Sequence, residues 1–151
     1  MQPELVADYA CEVGENPLWH PVENKLYWAD IPAGSIYRYD PATGHHEKFF
    51  DGDVIGGFTF QEDGSLLLFM DQGRISVLEN GNLQNVVDSI PGEEKFRFND
   101  VISDPEGRVF CGTIASDQSS QGISLGRLYR LDRDASLTKV VDDVGISNGM
   151  G

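Results

Sequence analysis

The sequence predicts an all-β chain of the β-propeller class. Its apolar runs are short and rich in Val, Ile, Phe, Tyr and Leu. Many alternate with polar residues, and 17 glycines and 7 prolines punctuate them, which is strand-and-turn patterning. No window sustains the 3.6-residue period of a long amphipathic helix. The pattern also recurs about every 40 residues with four strand candidates per unit, the signature of a propeller blade. A β-sandwich built from similar hairpins is the alternative, but a sandwich needs no such period.

The first unit reads NPLWHPVENKLYWADIPAGSIYRYDPATGHHEKFF. The second reads IGGFTFQEDGSLLLFMDQGRISVLENGNLQNVVD, and the third runs from FNDVISDPEGRVFCGTI to GRLYRLDRDASLTKVVDD. In each, the polar turns HPVENK, QEDGS and SDPEGR join the first two strands. The second strands are LYWAD, LLLFM and VFCGT, in which Trp28, Leu68 and Cys111 are equivalent, 40 and 43 residues apart. A third strand follows a glycine in each unit (SIYRYD, RISVLE, RLYRLD), and HHEKFF, LQNVVD and LTKVVDD are the fourth strands. In SIYRYD, Tyr37 and Tyr39 share one face. LVADYA before the first unit reads as an orphan strand. ISNGMG after the third reads as the start of a fourth unit. About three blades are thus expected over residues 1–151, the N-terminal half of a propeller domain that stops in its fourth blade. Such an open array would expose residues like Tyr37, Phe69 and Leu128, and self-association through the open edges is expected.

At 151 residues the chain is long enough for one domain with a real core. No apolar run approaches the roughly 18 residues of a membrane span, and MQPELVADYA has no secretory leader pattern. Twenty-five acids against eleven bases give a net charge of −14. That field repels phosphate backbones, so nucleic acid is not an expected partner, while cations and neutral small molecules are compatible with it. Cys11 and Cys111 match no metal or redox spacing and read as buried free thiols, which fits a reducing, cytoplasmic setting.

Four motifs place polar groups at comparable points of successive units: GENP (Gly14–Pro17), RFND (Arg97–Asp100), GTIASD (Gly112–Asp117) and SNG (Ser147–Gly149). First strands line a propeller's channel, so their polar groups converge on one mouth. Glu15, Asp100 and Asp117 offer carboxylates, and Asn99 and Asn148 offer amide oxygens. Oxygen donors without thiolates or paired histidines suit a hard cation such as Ca²⁺, Mg²⁺ or Mn²⁺. Arg97 can hold a hydroxyl or carbonyl oxygen of a substrate. Each residue also has a plainer reading: Glu15 as a turn stabiliser before Pro17, Asn99 and Asn148 as turn residues, Arg97 as surface charge, and Asp117 as a solvated loop residue. His45 and His46 are adjacent in a strand and point to opposite faces, so they cannot share a metal. No GxSxG, HExxH, P-loop or GxGxxG pattern occurs.

Together GENPLWHPVENKLYWADI, RFNDVISDPEGRVFCGTI and GRLYRLD…ISNGMG resemble the regucalcin/gluconolactonase (senescence-marker-protein-like) family, from Leu5 to Gly149. The resemblance implies a six-bladed propeller that holds a divalent cation (Ca²⁺, Mn²⁺, Mg²⁺ or Zn²⁺) in its channel and hydrolyses sugar lactones. By that resemblance Glu15 and Asn148 are metal ligands, and Arg97 and Asn99 contact substrate. Asp117 stands where some members carry a substrate-contacting glutamate, with a shorter side chain. The family's third metal-binding residue, an aspartate that is also its proposed acid/base, has no counterpart in these 151 residues. Two other readings stay open: a non-catalytic Ca²⁺-binding propeller module, and a hydrolase of other lactones or esters.

Overall fold

A computed structural model describes residues 2–116 and 124–151. Among them are twelve strands in three four-stranded antiparallel sheets. The first sheet is β1 (Gly14–His20), β2 (Lys25–Asp30), β3 (Ser35–Asp40) and β4 (His45–Asp51). The second is β5 (Ile55–Phe60), β6 (Leu66–Met70), β7 (Ile75–Glu79) and β8 (Asn82–Val87). The third is β9 (Phe96–Ser103), β10 (Val109–Ala115), β11 (Gly126–Leu131) and β12 (Leu137–Val144). Each sheet runs in sequence order, which is the meander of a blade. Trp28, Leu68 and Cys111 do hold one repeat position. They pair with Tyr37, Ser76 and Tyr129, each three residues after a glycine. The chain divides into two compact units, Met1–Val54 and Ile55–Gly151.

In the first unit, buried Tyr27, Ala29 and Ile36 form the apolar centre of the sheet. Arg38 ties three strand segments together. Its Nε donates to Glu47 at 2.7 Å, and its Nη1 reaches the Tyr27 hydroxyl at 3.2 Å. LVADYA forms no strand. Tyr9 instead lays its ring on Tyr37 (centroids 4.3 Å apart) and near Trp28 (6.1 Å), and its hydroxyl meets His46 Nδ1 at 3.0 Å. The Asp30 carboxylate then takes the N–H groups of Glu12 and Val13 at 3.1 and 3.0 Å. Side-chain packing and one carboxylate therefore fix a segment whose alternation had suggested ladder bonds. Tyr37 is consequently buried rather than open to water.

In the second unit one core joins the two sheets. Leu67, Phe69 and Ile75 of the second meet Phe98, Val101, Val109, Cys111, Tyr129 and Leu131 of the third. Phe69, expected on an open face, is fully buried with its ring edge-on to Phe98 at 5.3 Å. Leu128 is only half-buried. Burial pushes the Cys111 thiol up in pKa, so it stays protonated and inert, whereas Cys11 is half-buried rather than buried. The approach of β5 to β9 depends on Gly56, where an added Cβ would overlap the Phe98 backbone carbonyl. That obstacle is main chain and cannot rotate away. Gly56→Ala is expected to cost about 2 kcal/mol, in the range of overpacked cores, measurable as a lowered urea midpoint.

Candidate functional site

All three first strands carry an irregularity near their starts. In β1, Glu15 pairs with Ala29 and Leu18 with Tyr27, so Asn16 and Pro17 together oppose Trp28. In β5, Ile55 pairs with Met70 and Gly57 with Phe69, which leaves Gly56 extra. In β9, Phe98 pairs with Thr113 and Val101 with Cys111, so Asn99 and Asp100 together oppose Gly112. A bulge of this kind re-aims side chains, because two residues share one pleat position. GENP and RFND thus owe their geometry to the same device.

Glu15 lies in the first unit, inside a strand and exposed. Pro17 sits in the bulge rather than a turn, with Asn16 left-handed at φ 56°. Pro17 removes a ladder donor where the bulge has already broken the ladder. The turn-stabiliser reading of Glu15 therefore gives way to a carboxylate held at a bulge.

The other described candidates lie in the second unit and are linked. Arg97 is half-buried. Its Nη1 donates at 2.9 Å to the Phe98 carbonyl and at 2.9 Å to Asn99 Oδ1, so it is not simple surface charge. Asn99 Nδ2 in turn donates to the Ser147 carbonyl at 2.7 Å. Asp100 Oδ2 accepts the Met150 N–H at 2.8 Å. Asn148 lies between these two anchors, exposed, and its Oδ1 accepts the Gly149 N–H at 3.1 Å. This bond to the next residue leaves the amide oxygen of the exposed Asn148 a second lone pair. Asp117 lies outside the described residues.

The three histidines take no part in these contacts. His45 and His46 are exposed, and His20 is buried with Nδ1 accepting the Glu23 N–H at 3.2 Å. Past the other ends of β5 and β9 is a cleft of about 410 Å³, lined by Thr59, Gln61, Glu62, Ser103 and Arg133. None of the described motif residues lines it. Sequence reading placed Ser147 and Gly112 in its motifs but gave neither a role: Ser147 is buried, and a Cβ on Gly112 would overlap its side chain. The signal available was a glycine inside a strand, which marks close approach of another segment.

In donor chemistry, the Glu15 carboxylate and the amide oxygen of the exposed Asn148 fit a hard divalent cation. Asn99 Oδ1 already faces a guanidinium and suits a positioning role better. Among the described residues no group of three or more His, Cys, Asp or Glu side chains is placed to hold a metal. Each group is therefore of the right donor type, and other oxygens would complete the coordination.

With this geometry in view, comparison with known proteins is direct. Residues 13–151 match the family described as SMP-30/Gluconolactonase/LRE-like region. The chain belongs to this family of six-bladed propeller proteins, and its three sheets are three blades of that fold. It is 50% identical over 149 residues to the pentonolactonase XacC of Haloferax volcanii, covering 97% of this chain and 48% of that protein. It is 33% identical over 139 residues to the 6-deoxy-6-sulfogluconolactonase of Pseudomonas putida, covering 91% and 47%. Among solved structures, the calcium-binding protein regucalcin from Agrobacterium tumefaciens superposes with a TM-score of 0.77 at 20% identity, over 93% of this chain and 47% of that one. The chain spans about half the length of the curated relatives it matches.

Proposed function

We propose that this chain supplies half of the active site of a metal-dependent sugar lactonase acting on aldonolactones of the pentonolactone kind. The observation that carries this reading is the hydrogen-bonded series Arg97–Asn99–Ser147. It links a guanidinium and an amide to the main chain of the residue before Asn148. The names of the relatives, lactonases at 50% and 33% identity, support the same substrate class.

In this reading Glu15 and Asn148 would hold the cation, which when bound would supply Lewis-acid chemistry at a carbonyl oxygen. Arg97 donates to substrate hydroxyl oxygens through its guanidinium. Asn99 holds Arg97 on one side and the Ser147 carbonyl on the other, so sugar and ligand segment keep one register. Asp117 is proposed as a further substrate contact. No residue of this chain is assigned the acid/base role.

The test is metal binding and lactone turnover by the chain and by its complete form. Glu15→Gln is expected to weaken Mn²⁺ or Ca²⁺ binding by about a hundredfold, because the only carboxylate among the proposed ligands loses its charge, with little change in thermal midpoint. Arg97→Ala is expected to lower kcat/KM on polyhydroxylated lactones by about tenfold to a hundredfold, the loss of one or two charge-assisted hydrogen bonds, and to affect plain aliphatic lactones less. Unchanged metal affinity in Glu15→Gln would remove the metal assignment. Cation binding without turnover of any aldonolactone in the complete form would return the non-catalytic binding module. Turnover confined to other esters would return the broader hydrolase.

A further inference from the structure

We propose that Asp100 is a positioning residue. With Asn99 it forms a two-point clamp that presets the backbone carrying Asn148. What Asn148 is preset to do rests on the functional reading above; the clamp itself rests on geometry alone.

The clamp begins in the β9 bulge. In a regular strand, neighbours point to opposite faces and could not serve one segment together. Because Asn99 and Asp100 share the position opposite Gly112, both side chains serve the Ser147–Met150 segment. Asn99 Nδ2 donates to the Ser147 carbonyl at 2.7 Å, on the N-terminal side of Asn148. Asp100 Oδ2 accepts the Met150 N–H at 2.8 Å, on its C-terminal side. The third support is steric: Ser147 is buried in room that exists only because residue 112 is glycine. Asn148 is thus an exposed residue between two anchored neighbours. Its side chain needs little further ordering to meet a ligand, which is how fixed surroundings strengthen a weak neutral donor. Asp100 was one of the carboxylates that the sequence alone offered as an oxygen ligand. Its observed bond to a backbone N–H gives it a different task, for which an acceptor is required and a charge is not.

That difference defines the experiment. The 151-residue chain is ¹⁵N-labelled, amide exchange is followed residue by residue, and Mn²⁺ is titrated while line broadening is read at the Asn148 side-chain amide. In Asp100→Ala, Met150 exchange is expected to accelerate by at least about tenfold, the loss of one charge-assisted hydrogen bond, while the Phe69 and Cys111 amides keep their protection. Mn²⁺ affinity is expected to fall by a similar factor. Asp100→Asn keeps an acceptor oxygen in the same place, so both quantities should stay within about threefold of wild type. If Asp100→Ala does not fold, Asp100→Ser, too short to reach Met150, takes its place. Wild-type Met150 exchange, or wild-type Mn²⁺ affinity, in Asp100→Ala would overturn the proposal. So would an Asp100→Asn that loses Mn²⁺ as far as Asp100→Ala with Met150 still protected, because the charge itself would then be the ligand. Asn148→Ala separates the two levels. If it binds Mn²⁺ as wild type does, the metal reading of the site fails, and Met150 exchange in Asp100→Ala alone decides for or against the clamp.

Discussion

Replacing Glu93 by alanine is expected to destabilise the second unit by about 3 kcal/mol, towards the low end of the cost of breaking a buried ion pair. Glu93 lies in the connector between β8 and β9, next to the exposed Glu94 and Lys95, yet its side chain is 0% exposed. Its Oε1 accepts from Arg127 Nη1 at 2.7 Å and from the Tyr129 hydroxyl at 2.7 Å, and its buried Oε2 has no hydrogen-bond partner among the described residues. The pairing raises the Arg127 pKa, chiefly through the Glu93 hydrogen bond. Burial first, and the Glu93 carboxylate second, push the Tyr129 hydroxyl up, so it stays a donor at any ordinary pH. Removing the carboxylate leaves that hydroxyl buried without its acceptor, and leaves the guanidinium with Asp142, 3.4 Å from its Nε, in place of the buried anion. Arg127 is partly exposed and can recover some hydration, which is why the low end of the range applies. Glu93→Gln keeps the shape and one acceptor and should lose about 1–2 kcal/mol. The check is thermal melting: for a chain of this length 3 kcal/mol corresponds to a drop of about 6–12 °C. A Glu93→Ala protein melting within a degree or two of wild type would show that Arg127 and Tyr129 find other partners at no cost.

Glu93 also marks the boundary between what was legible in the sequence and what was not. All twelve strands were legible, because turn residues bound each run and because Trp28, Leu68 and Cys111 repeat against a glycine-led third strand. Two kinds of feature escaped. The first is the partner of an isolated segment. LVADYA alternates like a strand, but nothing in a pattern says that Tyr9 will pack on Tyr37 and Trp28 instead of pairing. The second is the bulge. A period-two reading puts Asn99 and Asp100 on opposite faces, and one extra residue in β9 brings them to the same segment. The sequence carried muted signals of this, a proline inside β1 and glycines at positions 56 and 112 inside strands. For the site, the residue types at GENP, RFND and SNG were legible. The bonds that order them depend on contacts up to 50 residues apart, which no local pattern encodes.

Phe98→Ala is expected to lose about 3–5 kcal/mol, the usual cost of removing a buried aromatic ring. Phe98 is 0% exposed and meets Phe69 edge-on at 5.3 Å in the core that joins the second and third sheets. Its carbonyl accepts from Arg97 Nη1 at 2.9 Å and lies against Gly56. Its backbone pairs with Thr113 immediately before the bulge that aims Asn99 and Asp100. One ring therefore anchors both the inter-sheet core and the strand position from which the candidate site is built. Truncation leaves a cavity beside Phe69 and lets β9 shift, so the Asn99–Ser147 and Asp100–Met150 bonds should weaken with it. Phe98→Leu keeps most of the volume and should cost about 1.5 kcal/mol or less. Urea unfolding with an unchanged slope, together with Met150 amide exchange, distinguishes the two substitutions. Phe98→Ala should lower the midpoint and accelerate Met150 exchange, whereas Phe98→Leu should leave Met150 protected. A Phe98→Ala protein that loses stability but keeps Met150 protected would show that the bulge is held by its own hydrogen bonds and owes nothing to the ring behind it.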